Sequence, residues 1–226
     1  MQKYKKASVI IKLLIVFLLI PCTILSGIFI FKEKHHAYIT TAVSILTLFL
    51  FYMGFEQKKI TTRRLVLCAV MTCLSVVGRF IPFLKPTAAL TVISAIYLGP
   101  ESGFLVGSLS ALISNFYFGH GPWSPHQMFA WGIIGFTAGL LSKPLEKSRV
   151  FQLLYGGVSG ILYSLLLDVW TVLWYNGGFN LTLYKAAIIT SAPHTLLYAV
   201  SNVLFLFILY PSFSSRLKRI KIKYGI

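Results

Sequence analysis

Acidic residues are scarce in this chain. Of its 226 residues only 5 are Asp or Glu, against 21 Lys and Arg, and charged residues of both signs make up 12% of the total. Soluble domains average about 25% charged residues, so this composition argues against a soluble globular protein. Apolar residues account for 57% of the chain. Both values indicate an integral membrane protein.

Cysteines are few and nucleotide-binding motifs are missing. Cys22, Cys68 and Cys73 all lie in apolar runs, which argues against an extracytoplasmic disulfide framework. No Cys/His spacing indicates a zinc site, so we expect no metal.

The pattern Gly-x4-Gly-Lys-[Ser/Thr] does not occur, which excludes ATP binding by a P-loop. Any uphill transport would therefore need a partner that uses ATP.

The basic residues are unevenly distributed between the segments that connect the apolar runs. Sixteen lie in alternate segments that include both termini, and five lie in the others. This split follows the positive-inside rule and predicts a multi-pass cell-membrane protein with both termini in the cytoplasm. No basic stripe interleaved with aromatics is present, which argues against nucleic-acid binding. The five residues of the minority set are Lys32, Lys34, Arg79, Lys85 and Lys185.

Eight apolar runs approach the ~20 residues that a transmembrane helix needs. The first run continues to Phe31 without a cleavage site, so we interpret it as a retained helix and not a signal peptide. The fourth is short because Pro86 and the Gly99-Pro100 pair bracket it. The sequence therefore predicts an all-α, polytopic integral membrane protein. The predicted spans are 13–31, 37–55, 65–84, 86–98, 102–118, 127–142, 150–175 and 186–210.

The composition changes after a polar linker that begins at Glu56. Residues 1–62 contain two generic aliphatic helices and this basic cytoplasmic linker. Residues 63–226 are richer in Gly, Ser, Pro and Trp, and we expect them to form a six-helix substrate-binding membrane domain. Small residues at four-residue spacing predict close helix packing in this part. They are Gly103, Gly107 and Ala111, then Gly135 and Gly139, then Gly156 and Gly160.

The connection between the fifth and sixth spans is rich in aromatic residues, histidine and proline. An interfacial aromatic belt would account for the aromatic residues. The Gly121-Pro122-Trp123-Ser124-Pro125 sequence favours a ligand-binding loop instead, because glycine and proline fix backbone shape.

Asp168 is the one acidic residue inside a predicted span. An acidic side chain inside a membrane span usually faces a cavity or pairs with another group. His194 lies at a similar predicted depth and could pair with it; a structural hydrogen bond is the alternative role for Asp168.

Arg79 and Lys85 are interpreted as snorkelling anchors, with contact to an anionic substrate group as the alternative. The predicted substrate-binding residues are Trp123, His126, Gln127, Trp131, Asp168, Trp170, Asn176 and His194.

Two other functions are considered. In an ion-coupled secondary carrier, Asp168 would be the proton site. Gly157-Val158-Ser159-Gly160 matches the Gly-x-Ser-Gly of rhomboid-type intramembrane proteases, with His194 as base. This pattern is short, and Ser159 and His194 start from opposite ends of their helices. We therefore expect no enzymatic activity.

From Arg63 onward the chain resembles the substrate-specific S components of energy-coupling factor (ECF) vitamin transporters. The resemblance is carried by the segments 64–79, 98–111 and 121–135. It implies a six-helix core that assembles with a transmembrane T subunit and two ATPase subunits, which use the ATP; no intrinsic cofactor is implied. Ala69 and Cys73 match the Ala-x-x-x-Ala pattern that docks the T subunit, with Cys in place of the second Ala.

The resemblance also implies a function. The protein would capture a vitamin-class small molecule on its extracellular side for ATP-driven uptake. The Gly-Pro-Trp-Ser-Pro segment is similar to cobalamin-type S components, so a cobalamin-like corrinoid is the first predicted ligand. Riboflavin or another B vitamin is the next. The two leading helices depart from the six-span pattern, and their role is left open.

Overall fold

The computed structural model describes residues 2–31, 36–55 and 62–224. Within these ranges the backbone is helical apart from short connections and contains no strand, so the all-α prediction is confirmed. Lys32, Lys34, Lys58 and Lys59, which enter the charge count, lie outside the described residues, as does most of the predicted linker. The helices are α1 Gln2–Leu14, α2 Ile20–Ser26, α3 His36–Phe55, α4 Thr62–Gly78, α5 Thr87–Leu98, α6 Pro100–Phe118, α7 Ser124–Leu140, α8 Ser142–Lys147, α9 Arg149–Asn176 and α10 Leu181–Tyr224.

Two π-helical segments extend the first helices into one run. Ile15–Leu19 joins α1 to α2, and Gly27–Phe31 follows α2. Pro21 follows the first π-helical segment directly, a place where the i→i−4 hydrogen-bond ladder is already interrupted and the missing N–H of proline is tolerated. The predicted span 13–31 is therefore helical throughout.

Three helices of the described chain are long and apolar enough on their own to cross a membrane. They are Ser8–Phe29, Arg149–Asn176 and Leu181–Tyr224, and Ala37–Met53 and Thr87–Leu98 are shorter apolar helices. With the apolar composition, these helices define an all-α polytopic membrane protein. The predicted helix over 65–84 is wrong at its end, because α4 stops at Gly78 and Pro82 and Pro86 interrupt the following segment.

Two groups of contacts define the two ends of the molecule. At the end that we call the basic end, the Lys12 Nζ–Glu101 Oε1 distance is 2.6 Å, and the guanidinium of Arg63 lies 3.9 Å from the Tyr224 ring centroid. At the opposite end, which we call the aromatic end, the connections 79–86 and 119–123 and the last turns of α9 meet. Phe80 and Trp123 belong to this end.

Helix α5 is the centre of the fold, since every one of its residues is buried. It packs against α4, α6, α7 and α10. At ~1.5 Å per residue, its 12 residues span only about 18 Å. The helix begins after Pro86 and ends at Gly99, whose φ of +95° favours glycine. The short predicted span is thus a fully enclosed helix that faces other helices on all sides.

Glycines allow the long helices to approach closely. A Cβ on Gly103 of α6 would lie 2.6 Å from the carbonyl oxygen of Gly135 in α7. A Cβ on Gly160 of α9 would lie 2.5 Å from the backbone nitrogen of Ala199 in α10. The pairs α6–α7 and α9–α10 make the most extensive helix contacts of the described chain. The predicted packing role of the small residues is confirmed.

The two N-terminal helical runs pack on the outside of the core. Helix α3 lies against α6 and α7, and α2 contacts α7. Phe17 meets Phe136 of α7 edge-on, with ring centroids 6.2 Å apart. Lys12 and Glu101 form a buried ion pair at the basic end, where Arg64 NH2 lies 3.9 Å from the second oxygen of the same carboxylate. The N-terminal pair is therefore attached to α6 and α7.

Candidate functional site at the aromatic end

Hydrogen bonds to one serine fix the connection between α6 and α7. Ser124 Oγ accepts hydrogen bonds from the Gly121 N–H at 3.2 Å and from Asn115 Nδ2 at 3.1 Å. Gly119 has a φ of +96°, which favours glycine. The ring of Trp123 covers Gly121 so closely that a Cβ there would lie 2.3 Å from Cη2. The Gly-Pro-Trp-Ser-Pro sequence thus holds Trp123 in place.

Three tryptophans and a histidine form what we call the tryptophan cluster. The ring centroid of Trp170 lies 6.4 Å from that of Trp123, 6.2 Å from that of Trp174 and 5.6 Å from that of His126. Trp170 Nε1 and His126 Nδ1 are buried, and neither has a hydrogen-bond partner among the described residues. The structure therefore brings together Trp123, His126 and Trp170 of the predicted site.

A second aromatic group lies about two helical turns further into α7. Tyr163 stacks on Trp131 with centroids 5.3 Å apart and 13° between the ring planes. Tyr198 meets Tyr163 edge-on at 4.9 Å, and Gln127 Nε2 donates a hydrogen bond to the Tyr163 hydroxyl at 3.0 Å. Gln127 Oε1 is buried and has no partner among the described residues. Gln127 and Trp131 thus belong to this deeper group and not to the tryptophan cluster.

A narrow cavity lies beside this group, and we call it the core cavity. Its volume is about 10 Å³, which is space for about one water molecule. Its walls combine aromatic faces with an amide, a hydroxyl and an ammonium group, a composition typical of small-molecule sites. The lining residues are Lys85, Thr87, Ala88, Trp131, Gly160, Tyr163, Tyr198 and Asn202.

Arg79 points inward. Its guanidinium lies 4.9 Å from the Trp131 ring centroid and 4.8 Å from that of Phe118. NH1 donates a hydrogen bond to Asn115 Oδ1 at 2.9 Å and another to Ser114 Oγ, and Nε is buried without a partner among the described residues. Aromatic faces and the last turn of α6 thus hold the half-buried Arg79 at the aromatic end, and its role as a snorkelling anchor stays a prediction.

Lys85 lies beside Arg79. Its Nζ is 5.4 Å from the Phe118 ring centroid, and the residue lines the core cavity. Ser201 holds its backbone, accepting from the Lys85 N–H at 2.7 Å and donating to the Lys85 carbonyl at 2.8 Å. Burial, and then the neighbouring charge of Arg79, lower the pKa of the Lys85 ammonium. Lys85 therefore also faces the site.

Asp168 is buried and accepts a hydrogen bond from Ser191 Oγ at 2.7 Å. This contact joins α9 to α10. His194 lies three residues after Ser191 on α10 and is exposed. Asn176 is also exposed, and its Nδ2 donates to the Gly178 carbonyl at 3.0 Å. Asp168, Asn176 and His194 thus lie apart from the core cavity.

Ser159 is buried against α10. Its hydroxyl donates to the Gly156 carbonyl at 2.8 Å and accepts from Asn202 Nδ2 at 3.2 Å. These bonds tie α9 to α10 at a glycine-rich crossing, as expected of polar residues in packed membrane helices.

A second narrow cavity lies under the N-terminal pair. Its volume is about 10 Å³, and it is almost wholly apolar, with the imidazole of His126 as its polar group. Its lining residues are Ile24, Gly27, Ile28, Ile39, Pro122, Pro125, His126 and Trp174. The N-terminal pair thus covers one flank of the tryptophan cluster.

The predicted partner-interface residues lie on the surface of α4. Ala69 and Cys73 are both exposed. Val66, Val70 and Val77 on the same helix are also exposed, at 54%, 47% and 66%. This exposed apolar surface faces lipid or another protein.

Several residues of the core cavity are not among the sequence-predicted site residues. Tyr163, Tyr198 and Asn202 line the cavity, and Arg79 stands at its edge. The two tyrosines could have been predicted from the sequence, because each lies in the middle of an apolar span. A buried phenol there needs a hydrogen-bond partner, which indicates a polar group nearby.

The fold and this site define a class, namely an all-α membrane protein with an aromatic, polar-edged cavity near one end of a six-helix core. A comparison with protein families is more specific. The model of the family described as ECF-type riboflavin transporter, S component, matches residues 59–217. This is more than half of the chain, and the protein belongs to that family.

The family match has three consequences. The resemblance to ECF S components is confirmed. The family is a transporter family and not an enzyme family, which argues against the protease interpretation. The vitamin in its description is riboflavin, the second of the predicted ligands, and not cobalamin. No curated protein and no solved structure matches the chain.

Proposed function

We propose that this protein is the capture subunit of an ECF importer and that it binds a flavin in the core cavity. One observation carries the choice of ligand site: the stacked Trp131–Tyr163 pair and Tyr198 surround a cavity that also presents polar groups. Flat aromatic ligands bind between such faces, and a few placed polar groups orient them.

A flavin would require a smaller rearrangement of this site than a corrinoid would. The cavity volume is about 10 Å³, which is space for about one water molecule, and Trp131 and Tyr163 are stacked on each other. Either ligand would therefore require the helices to separate, and a flat ring system requires less separation than a corrin macrocycle with its side chains. The family description supports the same choice.

The charge distribution supports an outward-facing aromatic end. Sixteen of the 21 basic residues belong to the connections and termini that we assign to the cytoplasm. The ligand would then enter from outside the cell, past the connections 79–86 and 119–123. Both termini would lie in the cytoplasm, and the membrane would be the cell membrane.

The energy would come from partner subunits. ECF S components work with a T subunit and ATPase subunits in general, and this chain contains no P-loop sequence. We place the T-subunit contact on the exposed apolar surface of α4 around Ala69 and Cys73. Small side chains there allow a partner helix to approach closely. An ion-coupled carrier would instead transport without partners in sealed vesicles.

Flavin binding to the full-length protein in lipid nanodiscs tests the proposal. Titration with riboflavin should quench its fluorescence as the ring stacks on Trp131. Trp131→Ala should weaken binding about tenfold or more, since it removes one wall of the cavity.

Tyr175→Ala is the matched control, because Tyr175 is an aromatic residue near the same end and is 79% exposed. It should leave the affinity unchanged. A wild-type protein that binds no flavin, or equal effects of the two substitutions, would contradict the proposed site.

A further inference from the structure

The last part of α10 continues well beyond the apolar section of that helix. We call residues 211–224 the C-terminal extension. At ~1.5 Å per residue the extension is about 21 Å long. It contains no acidic residue, and its five basic residues are Arg216, Lys218, Arg219, Lys221 and Lys223.

Both ends of the extension contact the basic end of the core. Where the extension begins, the Tyr210 hydroxyl lies 3.0 Å from the Tyr97 hydroxyl of α5. Where it finishes, the guanidinium of Arg63, in the first turn of α4, lies 3.9 Å from the Tyr224 ring centroid. Between these contacts Leu217 is buried. The extension therefore lies along the basic end and does not project freely from it.

Helix α9 fixes the place where the extension begins. Pro211 has no N–H, so the carbonyl of Phe207, four residues earlier, lacks its usual helical partner. Arg149 NH2 donates to this carbonyl at 2.7 Å and to the Leu206 carbonyl at 3.1 Å. Arg149 thus satisfies the carbonyl that Pro211 leaves open and holds the extension at its first residue.

The outer face of the extension is basic and carries one large apolar side chain. Arg219 and Lys223 are about one helical turn apart, and with Ile222 they line an open hollow on the surface. Ile222 is 77% exposed. Lys223 Nζ lies 5.3 Å from the centroid of the Tyr224 ring, which Arg63 also contacts. Cations from α4 and α10 therefore converge on this surface.

These cations have no carboxylate partner in the described part of the chain. The carboxylates that form ion pairs at the basic end are Glu101 and Glu146, and each pairs with other cations. Arg63, Arg219 and Lys223 take part in none of these ion pairs. An anionic partner would therefore complement the charge of this surface.

We infer that this surface binds an anionic phospholipid of the cytoplasmic leaflet, with the lipid phosphate against Arg63, Arg219 and Lys223. The inference goes beyond flavin capture and uses only the proposed orientation of the basic end. Arginine binds phosphate oxygens through several donors in fixed geometry, and lysine adds a point charge.

Two observations favour a lipid over an acidic protein as the partner. The apolar run of α4 starts at Leu65, which places Arg63 at the depth of the lipid headgroups. An exposed isoleucine between lysines is typical of helices that lie in the membrane interface. In such helices the apolar side chain reaches the acyl boundary while the cations meet anionic headgroups.

Native mass spectrometry of the full-length protein tests the inference with two lipids that have the same acyl chains, dioleoylphosphatidylglycerol and dioleoylphosphatidylcholine. Wild-type protein should bind the anionic lipid about tenfold more tightly than the zwitterionic one. Arg63→Gln, Arg219→Gln and Lys223→Gln should each lower this preference about threefold to fivefold, because each removes one charge near the phosphate. The three side chains are exposed, so the variants should fold.

Lys185→Gln is the matched control, because Lys185 is an exposed lysine near the opposite end of the same helix. It should leave the lipid preference unchanged. Lys223→Arg keeps the charge and should retain the preference. Glycerol 3-phosphate, which has the phosphate without acyl chains, should not displace the bound lipid.

Equal binding of the two lipids by the wild-type protein would overturn the inference and favour an acidic partner protein. Equal losses from Lys185→Gln and the three site variants, or displacement of the lipid by glycerol 3-phosphate, would also overturn it. Riboflavin binding is measured on the same variants and should be unchanged. Failure of the lipid preference would thus leave flavin capture standing, and absence of flavin binding would leave the lipid site standing.

Discussion

The six-helix core and the N-terminal pair are held together in different ways. In the core, glycines bring backbones into contact, and buried hydroxyls of α5 donate back to carbonyls four residues earlier. The N-terminal pair exposes aliphatic side chains such as Ile10 and Leu18, at 56% and 53%. The family match begins only at residue 59. The core thus carries the family's architecture, and the N-terminal pair is an addition that packs on it through buried apolar side chains such as Ile20, Val43 and Leu50.

This difference shows where stability should be concentrated. Where two helices cross in close contact, larger side chains lower the stability of the protein anywhere along the crossing. The added pair is held by buried aliphatic side chains and, in addition, by the buried Lys12–Glu101 ion pair and the Phe17–Phe136 contact. The division of the chain at residues 62 and 63 stays a prediction, and the substitutions below examine the two regions separately.

The largest effect is expected where the two regions meet at the basic end. Glu101→Gln should lower the free energy of unfolding by roughly 3 kcal/mol, because it leaves Lys12 and Arg64 buried opposite a neutral amide. Denaturant unfolding followed by tryptophan fluorescence measures this loss. Lys12→Met combined with Glu101→Gln should cost less than the sum of the single effects.

Lys218→Met is the control for this ion pair. Lys218 pairs with Glu146 at 3.2 Å, but its side chain is 61% exposed. Its removal should cost less than about 1 kcal/mol. Equal losses from Glu101→Gln and Lys218→Met would show that the buried ion pair does not hold the two regions together.

A smaller but clear effect is expected inside the core. Gly135→Ala should destabilise the protein by about 1–3 kcal/mol, because its Cβ would lie 2.3 Å from the carbonyl oxygen of Gly103. At Gly157 the nearest atom to a new Cβ is 3.5 Å away, so Gly157→Ala should change stability by about 0.5 kcal/mol or less. Thermal unfolding of both variants provides the comparison, and similar midpoints would argue against the glycine crossing as the basis of core stability.

The smallest stability effect is expected from the aromatic contact of the N-terminal pair. Phe17→Ala removes an edge-on ring contact with Phe136 and should cost about 1 kcal/mol. Leu18 is as exposed as Phe17, at 53% against 52%, so Leu18→Ala removes a similarly exposed side chain without the Phe136 contact and should cost less. If Leu18→Ala proved the more damaging, the outer surface of the pair would have to contact something other than lipid.

The positions of the helices were predictable because each membrane-spanning helix corresponds to an apolar run in the sequence. All eight predicted spans coincide with helices for most of their length. The ends were less predictable. Helix α10 continues to Tyr224 although its apolar part ends near 210, because Arg and Lys are good helix formers. The apolar segment 79–84 predicts a continued helix, but α4 ends at Gly78 because Pro82 lies within the segment and Pro86 follows it.

The site was only partly predictable because the sequence does not fix which way a helix faces. Trp123, His126 and Trp170 come together as expected from one loop and one helix end. Asp168 and His194 are predicted at a similar depth, but Asp168 accepts a hydrogen bond from Ser191 and His194 is exposed. The sequence does not reveal the partners of Arg79 either, because its hydrogen bonds to Ser114 and Asn115 depend on how α4 and α6 face each other.

The identity of a retained ligand tests flavin capture most directly. Full-length protein would be expressed in riboflavin-fed cells, purified in mild detergent, and its extract examined by absorbance and mass spectrometry. We predict a flavin at close to one molecule per chain, lost when Trp131 is replaced by Ala. A protein that retains a corrinoid, or that neither retains nor binds any flavin, would contradict the account.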